Sequence, residues 1–399
     1  MSDKIHVLYL QTQEGFGADS AIHAHLMRHL DRERFEVHTA CTGSPGPQVP
    51  ESLRRMQQIS DVHVRVSSFA PGIHERNLET ILKAAPSAVL APLEFVRLAR
   101  YVKQHGIRII HSSDRPRDSL YCVLLARATG AKSVVHVHVK WSQYYGATAR
   151  WAVNHSDGVM AISEYVAGTV AGQRGGMDAI HTVLNGVDLT PWDPNIDGSA
   201  VRAGLSIPDD ALVLASVSRL FHWKGQRELL KAFELVVRQV PNVVLLIVGA
   251  DAAHEGGSFT EELQGLAREL GVSDKVRFTG GRSDIPQVMA ACDVFTMPSF
   301  EEPFGLVFVE AMAMAKPVVA IDNGGTPEVV SHEDTGLLAP PWDVETIADH
   351  ILRLLRDREL RVKMGRAGRE RALNMFSAER MARDAGRVYE RILQRGTPS

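Results

Sequence analysis

Cysteine is scarce in this chain of 399 residues, which contains three. Cys41, Cys122 and Cys292 are far apart, so they show neither the spacing of a metal site nor a disulfide framework. Few and unpaired cysteines are typical of proteins from a reducing compartment. The first residues, MSDKIHVLYL, pass into a strand pattern too soon for a secretory signal. We therefore expect a cytoplasmic protein.

The chain also lacks a charge excess and a long apolar run. Its 44 basic and 47 acidic residues give a net charge of −3, which provides no reason to expect a nucleic-acid partner. No apolar run approaches the roughly 20 residues that a transmembrane helix needs. Hydrophobic residues at 45% and charged residues at 23% are globular values, and the length exceeds one hydrophobic core. These properties predict a globular protein of two domains.

Short apolar and β-branched runs alternate with helical patterns through both halves of the sequence. Such alternation predicts an α/β fold with two Rossmann-like, doubly wound parallel-sheet domains. A stretch rich in Pro, Asp and Gly, residues 188–208, marks the boundary, so we place the domains at residues 1–190 and 200–376. The predicted strands are 6–10, 35–41, 61–67, 107–112, 133–139, 158–162 and 182–187, then 212–217, 243–248, 276–279, 294–297, 317–321 and 336–339.

Two carboxylates stand eight residues apart in the segment SFEEPFGLVFVEAMAMAKPVVA. Glu302 precedes a Pro-Phe-Gly turn, and Glu310 lies within an apolar helix pattern that begins at Leu306. The N–H groups at a helix start can bind an anion, and a carboxylate inside an apolar helix needs a partner. From the residues alone, Glu310 is equally consistent with a ligand contact and with a structural carboxylate bonded to nearby backbone.

Two cations follow a predicted strand in the segment SRLFHWKGQRELLKAF. Arg219 and Lys224 come after strand 212–217 and before a helix that begins near Gly225. Open α/β sheets bind ligands at the carboxyl ends of their strands, and guanidinium and ammonium groups bind phosphate oxygens. On spacing alone, two solvated surface charges are the commoner explanation.

The two glutamates and the turn between them resemble the E-x7-E signature of retaining glycosyltransferases of the GT-B fold, family 4. The resemblance implies two Rossmann-like domains that face a central cleft. It also implies that Glu302 contacts the donor sugar and that Glu310 holds the donor ribose. Backbone N–H groups of the turn would meet the sugar and the diphosphate; the turn residues are Phe304, Gly305 and Leu306.

Further segments extend the resemblance through the second half of the chain. In family 4, an Arg and a Lys at the positions of Arg219 and Lys224 neutralise the leaving diphosphate. The nucleotide sugar is therefore a co-substrate, and neither a metal nor another cofactor is expected. The residues after the first Gly of VRFTGGRSD contact the nucleotide base, which points to Arg282. The nearby Asp284 is at least as well explained as a helix N-cap ahead of Pro286.

The first domain resembles the family more loosely. Family members carry a Gly-Gly pair at the start of the first helix, where this chain has Gly17 and Ala18. We assign Gly17 to donor binding on this basis. A family histidine that contacts the donor sugar corresponds to His138, and His136 is the competing candidate.

Two histidine pairs have spacings that could ligate a metal, at residues 25 and 29 and at residues 136 and 138. No third ligand is apparent for either pair, so no metal site is predicted. The C-terminal helical pattern, residues 377–396, packs on the first domain if the GT-B resemblance holds. The sequence alone equally allows a simple C-terminal cap.

The residues and the resemblance together imply a glycosyltransferase. It would move a sugar from a nucleoside diphosphate sugar to an acceptor hydroxyl with retention of the anomeric configuration. One alternative is a sugar phosphorylase of the same fold, with phosphate as acceptor. Another is a nucleotide-sugar binding protein without transfer activity. We find no match to the signatures of nucleotide-sugar 2-epimerases.

No motif identifies the acceptor, so a saccharide, a lipid and a small molecule remain open. Residues 141–151 combine aromatic side chains with arginine near the expected cleft. The helical pattern of residues 94–108 carries Arg97, Arg100 and Lys103. These cations form either a solvated face, the commoner case, or a peripheral contact with the inner face of an anionic membrane.

Overall fold

In the computed structural model the chain divides into two compact units. The first contains the residues up to Gly186 together with those from Ala378 onward, and the second runs from Val187 to Ser377. The structure describes residues 4–43, 48–69, 78–142, 145–251 and 258–395, without the side chains of residues 78–90. Residues 143–144 of the aromatic segment and residue 396 of the predicted C-terminal helix lie outside the described residues.

The first unit is built on a seven-stranded parallel sheet, whose strands are β1 (Ile5–Gln11), β2 (Phe35–Thr42), β3 (Val62–Ser67), β4 (Ile107–Ser113), β5 (Lys132–Val137), β6 (Gly158–Ala161) and β7 (Ile180–Thr182). Their order in the sheet is β3-β2-β1-β4-β5-β6-β7. Consecutive residues of β1, from Val7 to Leu10, are all fully buried. Because neighbouring residues of a strand point to opposite faces, both faces of this sheet are covered, as in other parallel sheets.

The helices of the first unit are α1 (Ala18–His29), α2 (Glu51–Met56), α3 (Leu78–Gln104), α4 (Pro116–Thr129), α5 (Ala147–His155), α6 (Glu164–Arg174) and, from the end of the chain, α15 (Ala378–Gln394). α15 buries the face that its sequence pattern predicts, including Met381 and Ile392. Its Tyr389 hydroxyl lies 2.8 Å from the hydroxyl of Tyr9 in β1. The end of the chain therefore completes the core of the first unit.

The second unit is built on a six-stranded parallel sheet, whose strands are β8 (Leu212–Val217), β9 (Val243–Val248), β10 (Val276–Gly280), β11 (Val294–Thr296), β12 (Val318–Ile321) and β13 (Gly336–Ala339). Their order is β10-β9-β8-β11-β12-β13. This is the strand order of a Rossmann fold, with β8 as its first strand.

The helices of the second unit are α7 (Ser199–Gly204), α8 (Gln226–Val237), α9 (Phe259–Glu269), α10 (Ile285–Ala291), α11 (Leu306–Ala313), α12 (Thr326–Val329), α13 (Val344–Arg356) and α14 (Arg358–Met375). α8 buries Leu229, Leu230 and Phe233 completely, on the apolar face that its sequence predicts. No helix in the described ranges is both long enough and apolar enough to cross a bilayer.

One predicted strand is wrong in position. The sequence places a strand at residues 182–187, whereas β7 is Ile180–Thr182. The residues that follow are in a loop, where the carbonyl groups of Leu184 and Asn185 accept hydrogen bonds from Arg380 at 2.7 and 3.1 Å. Val183 and Val187 are buried in that loop. Apolar residues that are buried in a loop give the same sequence signal as a strand.

Candidate active site

The strand order of the second sheet reverses between β8 and β11. Open α/β sheets bind ligands at such a switch point, outside the carboxyl ends of the strands. β8 is followed directly by Ser218 and Arg219, and β11 leads into the loop that contains Ser299 and Glu302. The predicted donor residues therefore follow the two strands at which the topology favours a site.

Two cations at this edge are in different electrostatic states. The Arg219 side chain is exposed, and none of the described residues forms an ion pair with it. Lys224 ends a short 3-10 helix, and its Nζ lies 2.6 Å from Oε2 of Glu302. The same Nζ lies 4.1 Å from the centroid of the Trp223 ring, which attracts an ammonium group. Two cations and one carboxylate leave a positive charge available for an anionic ligand.

The Glu302 loop is shaped by a pair of glycines that follows β12. Gly324 has a φ of +65°, and a Cβ atom there would lie 2.5 Å from the carbonyl oxygen of Glu302. A Cβ atom on Gly325 would lie 2.3 Å from the carbonyl oxygen of Pro303. The Gly325 N–H donates to the Glu302 carbonyl at 2.7 Å, and the Ser299 hydroxyl donates to its carboxylate at 2.8 Å. Both the backbone and the side chain of Glu302 are therefore held in place.

α11 begins where this loop ends. Its N-cap residue, Gly305, has a φ of +88°, in the left-handed region that favours glycine. The Phe304 ring is buried with its centroid 5.7 Å from that of Phe376, which anchors the turn. The first N–H groups of a helix have no acceptor within the helix. The start of α11, at Leu306, can therefore donate hydrogen bonds to an anion.

Glu310 lies in the second turn of α11 and is part-buried. Its neighbours Val309 and Ala311 are fully buried. Burial raises the pKa of the Glu310 carboxyl to about 8. We find no hydrogen-bond partner for this carboxyl among the side chains that the structure describes. The hydroxyl groups of a ligand could supply the hydrogen bonds that the protein does not.

Arg282 and Asp284 pair with each other in two hydrogen bonds, at 2.8 and 2.5 Å. Asp284 does occupy the N-cap position of α10, but its side chain accepts no hydrogen bond from the helix N–H groups. The predicted N-cap position is therefore present without the capping bond. The ion pair fixes the Arg282 side chain beside the turn that follows β10.

The first sheet has its own switch point, between β1 and β4. Gly17 is the N-cap of α1, and a Cβ atom there would lie 3.0 Å from a carboxylate oxygen of Asp19. Asp19 accepts a hydrogen bond of 2.7 Å from Arg115, which comes shortly after β4. Burial alone would raise the pKa of Asp19, but the hydrogen bond and charge of Arg115 lower it overall. Next to Arg115, burial raises the pKa of Asp114 to about 7.

The two competing histidines differ in accessibility. β5 ends at Val137, so His136 lies inside the strand and His138 directly after it. His136 is fully buried, whereas His138 is half-buried. Burial lowers the pKa of His138 to about 4, although Asp19 opposes this shift, so its ring is neutral at pH 7. His138 is therefore the more accessible of the two imidazoles.

His136 belongs to a buried histidine group that sequence spacing did not reveal. Its ring centroid lies 5.6 Å from that of His23 on α1 and 5.3 Å from that of His111 on β4. The ring nitrogens of His23 and His111 lie 3.2 Å apart. The other nitrogen of His111 contacts the Tyr389 hydroxyl at 2.9 Å, and that of His23 contacts Gln11 at 2.8 Å. In this chain of hydrogen bonds each imidazole can remain neutral.

The aromatic segment after β5 reaches the same edge of the first sheet. Trp141 is buried, and its ring stacks on Tyr145 with centroids 4.1 Å apart. The Tyr145 hydroxyl lies 3.5 Å from a carboxylate oxygen of Asp114. The first unit thus presents carboxylates, imidazoles and a phenol at its switch point.

Comparison with known proteins identifies the family. A family model described as Glycosyltransferase Family 4 matches residues 23–191, and one described as Glycosyl transferases group 1 matches residues 199–371. The GDP-mannose-dependent alpha-(1-6)-phosphatidylinositol monomannoside mannosyltransferase of Mycobacterium tuberculosis is 34% identical over 303 residues, 71% of this chain and 77% of that relative. The chain is a family 4 glycosyltransferase of the GT-B fold.

Two further similarities accompany these matches. The D-inositol 3-phosphate glycosyltransferase of Saccharomonospora viridis is 40% identical over 200 residues, 49% of this chain and 46% of that relative. The crystal structure of Anabaena HepE in complex with UDP and glucose superposes with a TM-score of 0.77 at 24% identity, covering 96% of this chain and 99% of that one. The predicted fold and the predicted activity, sugar transfer from a nucleotide sugar, are both confirmed.

The match to Glycosyl transferases group 1 covers the predicted residues of the second unit, whereas Gly17 precedes the region of the first unit that the Glycosyltransferase Family 4 model matches. Ser299, Gly324 and Gly325 were not singled out from the sequence of this glycosyltransferase. An adjacent glycine pair two residues after a strand was the available signal for two of them. The pairing of Asp19 with Arg115 joins residues 96 positions apart, and no local pattern indicates it.

Proposed function

We propose that this glycosyltransferase transfers a hexose from a GDP-linked donor to a hydroxyl group of an inositol-containing acceptor, with retention of configuration. The observation that carries the site assignment is the set of charged groups at the switch point of the second sheet. Arg219 and Lys224 would stabilise the diphosphate as it leaves, together with the N–H groups at the start of α11. Preorganised charge of this kind is often the largest contribution to catalysis.

Each remaining site residue has a proposed role that follows the family pattern. Glu302 would position the donor sugar, Glu310 would accept hydrogen bonds from the ribose hydroxyls, and Arg282 would lie beside the base. In the first unit, His138 would contact the donor sugar. Gly17 would let the backbone at the start of α1 approach the donor closely. No bound metal is required in this scheme, because protein cations balance the diphosphate. Transfer in the presence of EDTA at the untreated rate would support that point.

Retention without a covalent intermediate is the proposed mechanism. A double displacement needs a carboxylate nucleophile beside the anomeric carbon. Oε2 of Glu302 already accepts hydrogen bonds from Lys224 and Ser299, which weakens it as a nucleophile. We therefore propose attack from the same face as the leaving group, with the diphosphate accepting the proton of the acceptor hydroxyl.

The donor base and the acceptor are proposed from the named relatives. The Mycobacterium tuberculosis relative is named for GDP-mannose and for a phosphatidylinositol monomannoside, and the Saccharomonospora viridis relative for inositol 3-phosphate. Both named acceptors contain inositol and phosphate. A lipid-borne acceptor is further supported by α3, where Leu93 and Val96 are exposed at helical spacing beside Arg97 and Arg100.

A thermal-shift panel tests the donor assignment directly. GDP, UDP, ADP and their sugars would be added to the wild type and to Glu310→Ala. A ligand at 100 times its dissociation constant adds about 2.7 kcal/mol to the stability of the state that binds it. We expect a shift with GDP-mannose that Glu310→Ala reduces. A shift confined to UDP compounds would overturn the proposed base and leave the transfer activity intact.

Membrane contact is tested separately by co-sedimentation with phosphatidylinositol vesicles at low and high salt. We expect binding at low salt that weakens as salt screens the charges, and a further loss in the double variant Arg97→Glu and Arg100→Glu. Transfer to soluble inositol phosphate without any vesicle binding would exclude the lipid-borne acceptor.

A further inference from the structure

Four side chains that commonly ligate metals meet on one face of the first sheet, near the amino ends of β1, β2 and β3. In the register of the sheet, His6 lies beside Glu36 and His38 lies beside His63. Glu36 and His38 are two residues apart on β2, so they point to the same face. We call these residues the His6–His63 cluster, which comprises His6, Glu36, His38 and His63.

Three members of the cluster, His6, Glu36 and His38, have ligand atoms that all lie within 4.8 Å of one another, and His63 adjoins them through Glu36. Nδ1 of His6 lies 3.3 Å from Nε2 of His38, and Nε2 of His63 lies 3.1 Å from Oε1 of Glu36. The same Glu36 oxygen lies 3.9 Å from Nε2 of His38. Metal–ligand bonds of about 2.0–2.1 Å in tetrahedral geometry place neighbouring ligand atoms roughly 3.3 Å apart. Three ligand atoms are therefore close enough to share one ion, and the His63 side chain becomes the fourth ligand after it moves toward them.

His38 is oriented as a metal ligand usually is. Its side chain is buried, and its Nδ1 lies 2.9 Å from the hydroxyl of Tyr101 on α3. Metal-binding histidines generally use one ring nitrogen for the metal and donate the other N–H to an outer partner. Tyr101 is itself placed by Arg65, whose guanidinium lies 5.1 Å from the ring centroid. The Nε2 atom of His38 thus faces the cluster in a fixed direction.

We propose that the His6–His63 cluster binds a transition-metal cation of the Zn²⁺ type, at a site separate from the residues of sugar transfer. Imidazole and carboxylate ligands suit Zn²⁺, whereas Mg²⁺ and Ca²⁺ prefer oxygen ligands alone. The cluster lies toward the amino ends of parallel strands, and the candidate active-site residues follow their carboxyl ends. An ion can reach it, because His63 is 58% exposed and His6 is 26% exposed. The ion would fasten the edge strand β3 to β2 and β1.

The buried group of His23, His111 and His136 also has ligand atoms within 4.8 Å of one another. It is the weaker candidate, because all three of its side chains are fully enclosed, whereas His6 and Glu36 are partly exposed. This group therefore serves as an internal comparison in the test.

The test is a titration of tag-free protein with ZnCl₂ in competition with a chromophoric chelator. We expect one tightly bound equivalent in the wild type. The double variant Glu36→Gln and His63→Ala should lose it, since it removes two partly exposed ligands. Tyr101→Phe keeps all four ligands and should weaken binding about 10- to 100-fold, the usual effect of losing an outer partner. His155→Ala, an exposed histidine on α5, is the matched control and should bind as the wild type does.

Substitution of Co²⁺ gives a second readout, because tetrahedral coordination produces intense visible absorption that adventitious surface binding does not. Circular dichroism and donor-induced thermal shifts would show that each variant is folded. The proposal is overturned if the double variant retains the bound equivalent, or if His23→Gln removes it while the double variant does not. The absence of a tightly bound equivalent in the wild type would have the same meaning.

Discussion

The two sheets share one strand order around their switch points, yet the side chains at those points differ in kind. At the second sheet, Arg219 has no ion-pair partner in the described ranges, and the carboxyl of Glu310 has no hydrogen-bond partner there. At the first sheet, Asp19 is paired with Arg115, and Asp118 accepts a hydrogen bond from Ser113 at 2.9 Å. The edge of the second sheet can therefore bind an anionic ligand. At the edge of the first sheet, the charged groups are paired mainly with other groups of the protein. Topology fixes where a site can form, and the pairing of side chains decides what it can bind.

The largest expected effect comes from removing Arg219, which follows the first strand of the second sheet. Arg219→Ala should lower kcat about 100- to 1,000-fold, or about 2.7–4 kcal/mol, because the leaving diphosphate loses a preorganised charge. Steady-state transfer from the donor measures it. Arg227→Ala is the control, since Arg227 forms a surface ion pair with Glu262. A decrease in kcat of less than tenfold in Arg219→Ala would contradict this comparison. The charge at the edge of the second sheet would then not be what stabilises the leaving diphosphate.

The next effect concerns the glycines that shape the Glu302 loop. Gly324→Ala places a methyl group against the Glu302 backbone and should abolish donor-induced stabilisation while destabilising the second unit by about 1–3 kcal/mol. Gly271→Ala is a close match, because Gly271 has a φ of +70° with no atom within 4 Å of an added Cβ. It should lose stability without losing donor binding. Equal donor binding in Gly324→Ala and Gly271→Ala would show that the shape of the Glu302 loop does not affect donor binding.

A smaller effect tests the burial of Glu310 through pH. The pKa of its carboxyl rises from 4.5 to about 8 on folding, so between these values the folded state holds a proton that the unfolded state releases. The stability contribution of this group therefore falls as pH rises through that window. Glu310→Gln should be more stable than the wild type by about 1–2 kcal/mol at pH 8.5, with a smaller difference at pH 5. Thermal unfolding of both proteins measures this, and a pH-independent difference would contradict it.

The smallest effect concerns the internal pairing of the first unit. Tyr389→Phe keeps the ring of α15 but removes the hydroxyl that contacts Tyr9 and His111. The unfolding free energy of the first unit should fall by about 1 kcal/mol, the usual net value of a buried hydrogen bond. Donor-induced stabilisation should persist, because the donor residues Arg219 and Glu310 are on the second unit. Loss of donor binding in Tyr389→Phe would show that donor binding by the second unit depends on the hydrogen bonds inside the first.

Most of the fold was predictable because parallel strands that are buried on both faces appear as short apolar runs. The strands β8, β9 and β13 begin and end at the predicted residues. β7 was misplaced, since buried loop residues such as Val187 have the same composition as a strand. The GT-B assignment required the resemblance, because periodicity alone allowed α15 to be a simple cap.

The candidate site was predictable where one short segment carries it, as with Glu302 and Glu310. It was not predictable where packing joins distant segments. Gly325 reaches Glu302 through a backbone hydrogen bond, and His23 reaches His111 from another element. Such contacts depend on strand order, which local sequence does not encode. The His6–His63 cluster has the same origin, because the sheet register aligns residues from three strands.

The position of α15 has a consequence for how the protein is made. A ribosome completes residues 1–186 long before it reaches Ala378, and the whole second unit is synthesised in between. At about 5–20 residues per second, this interval is on the order of 10–40 s. During that time the nascent first half lacks the helix that covers Tyr9, while the second half can already fold. The second unit should therefore complete its folding before the first, although it is synthesised later. Residues 1–186 are the part of the chain that chaperones would need to protect during synthesis.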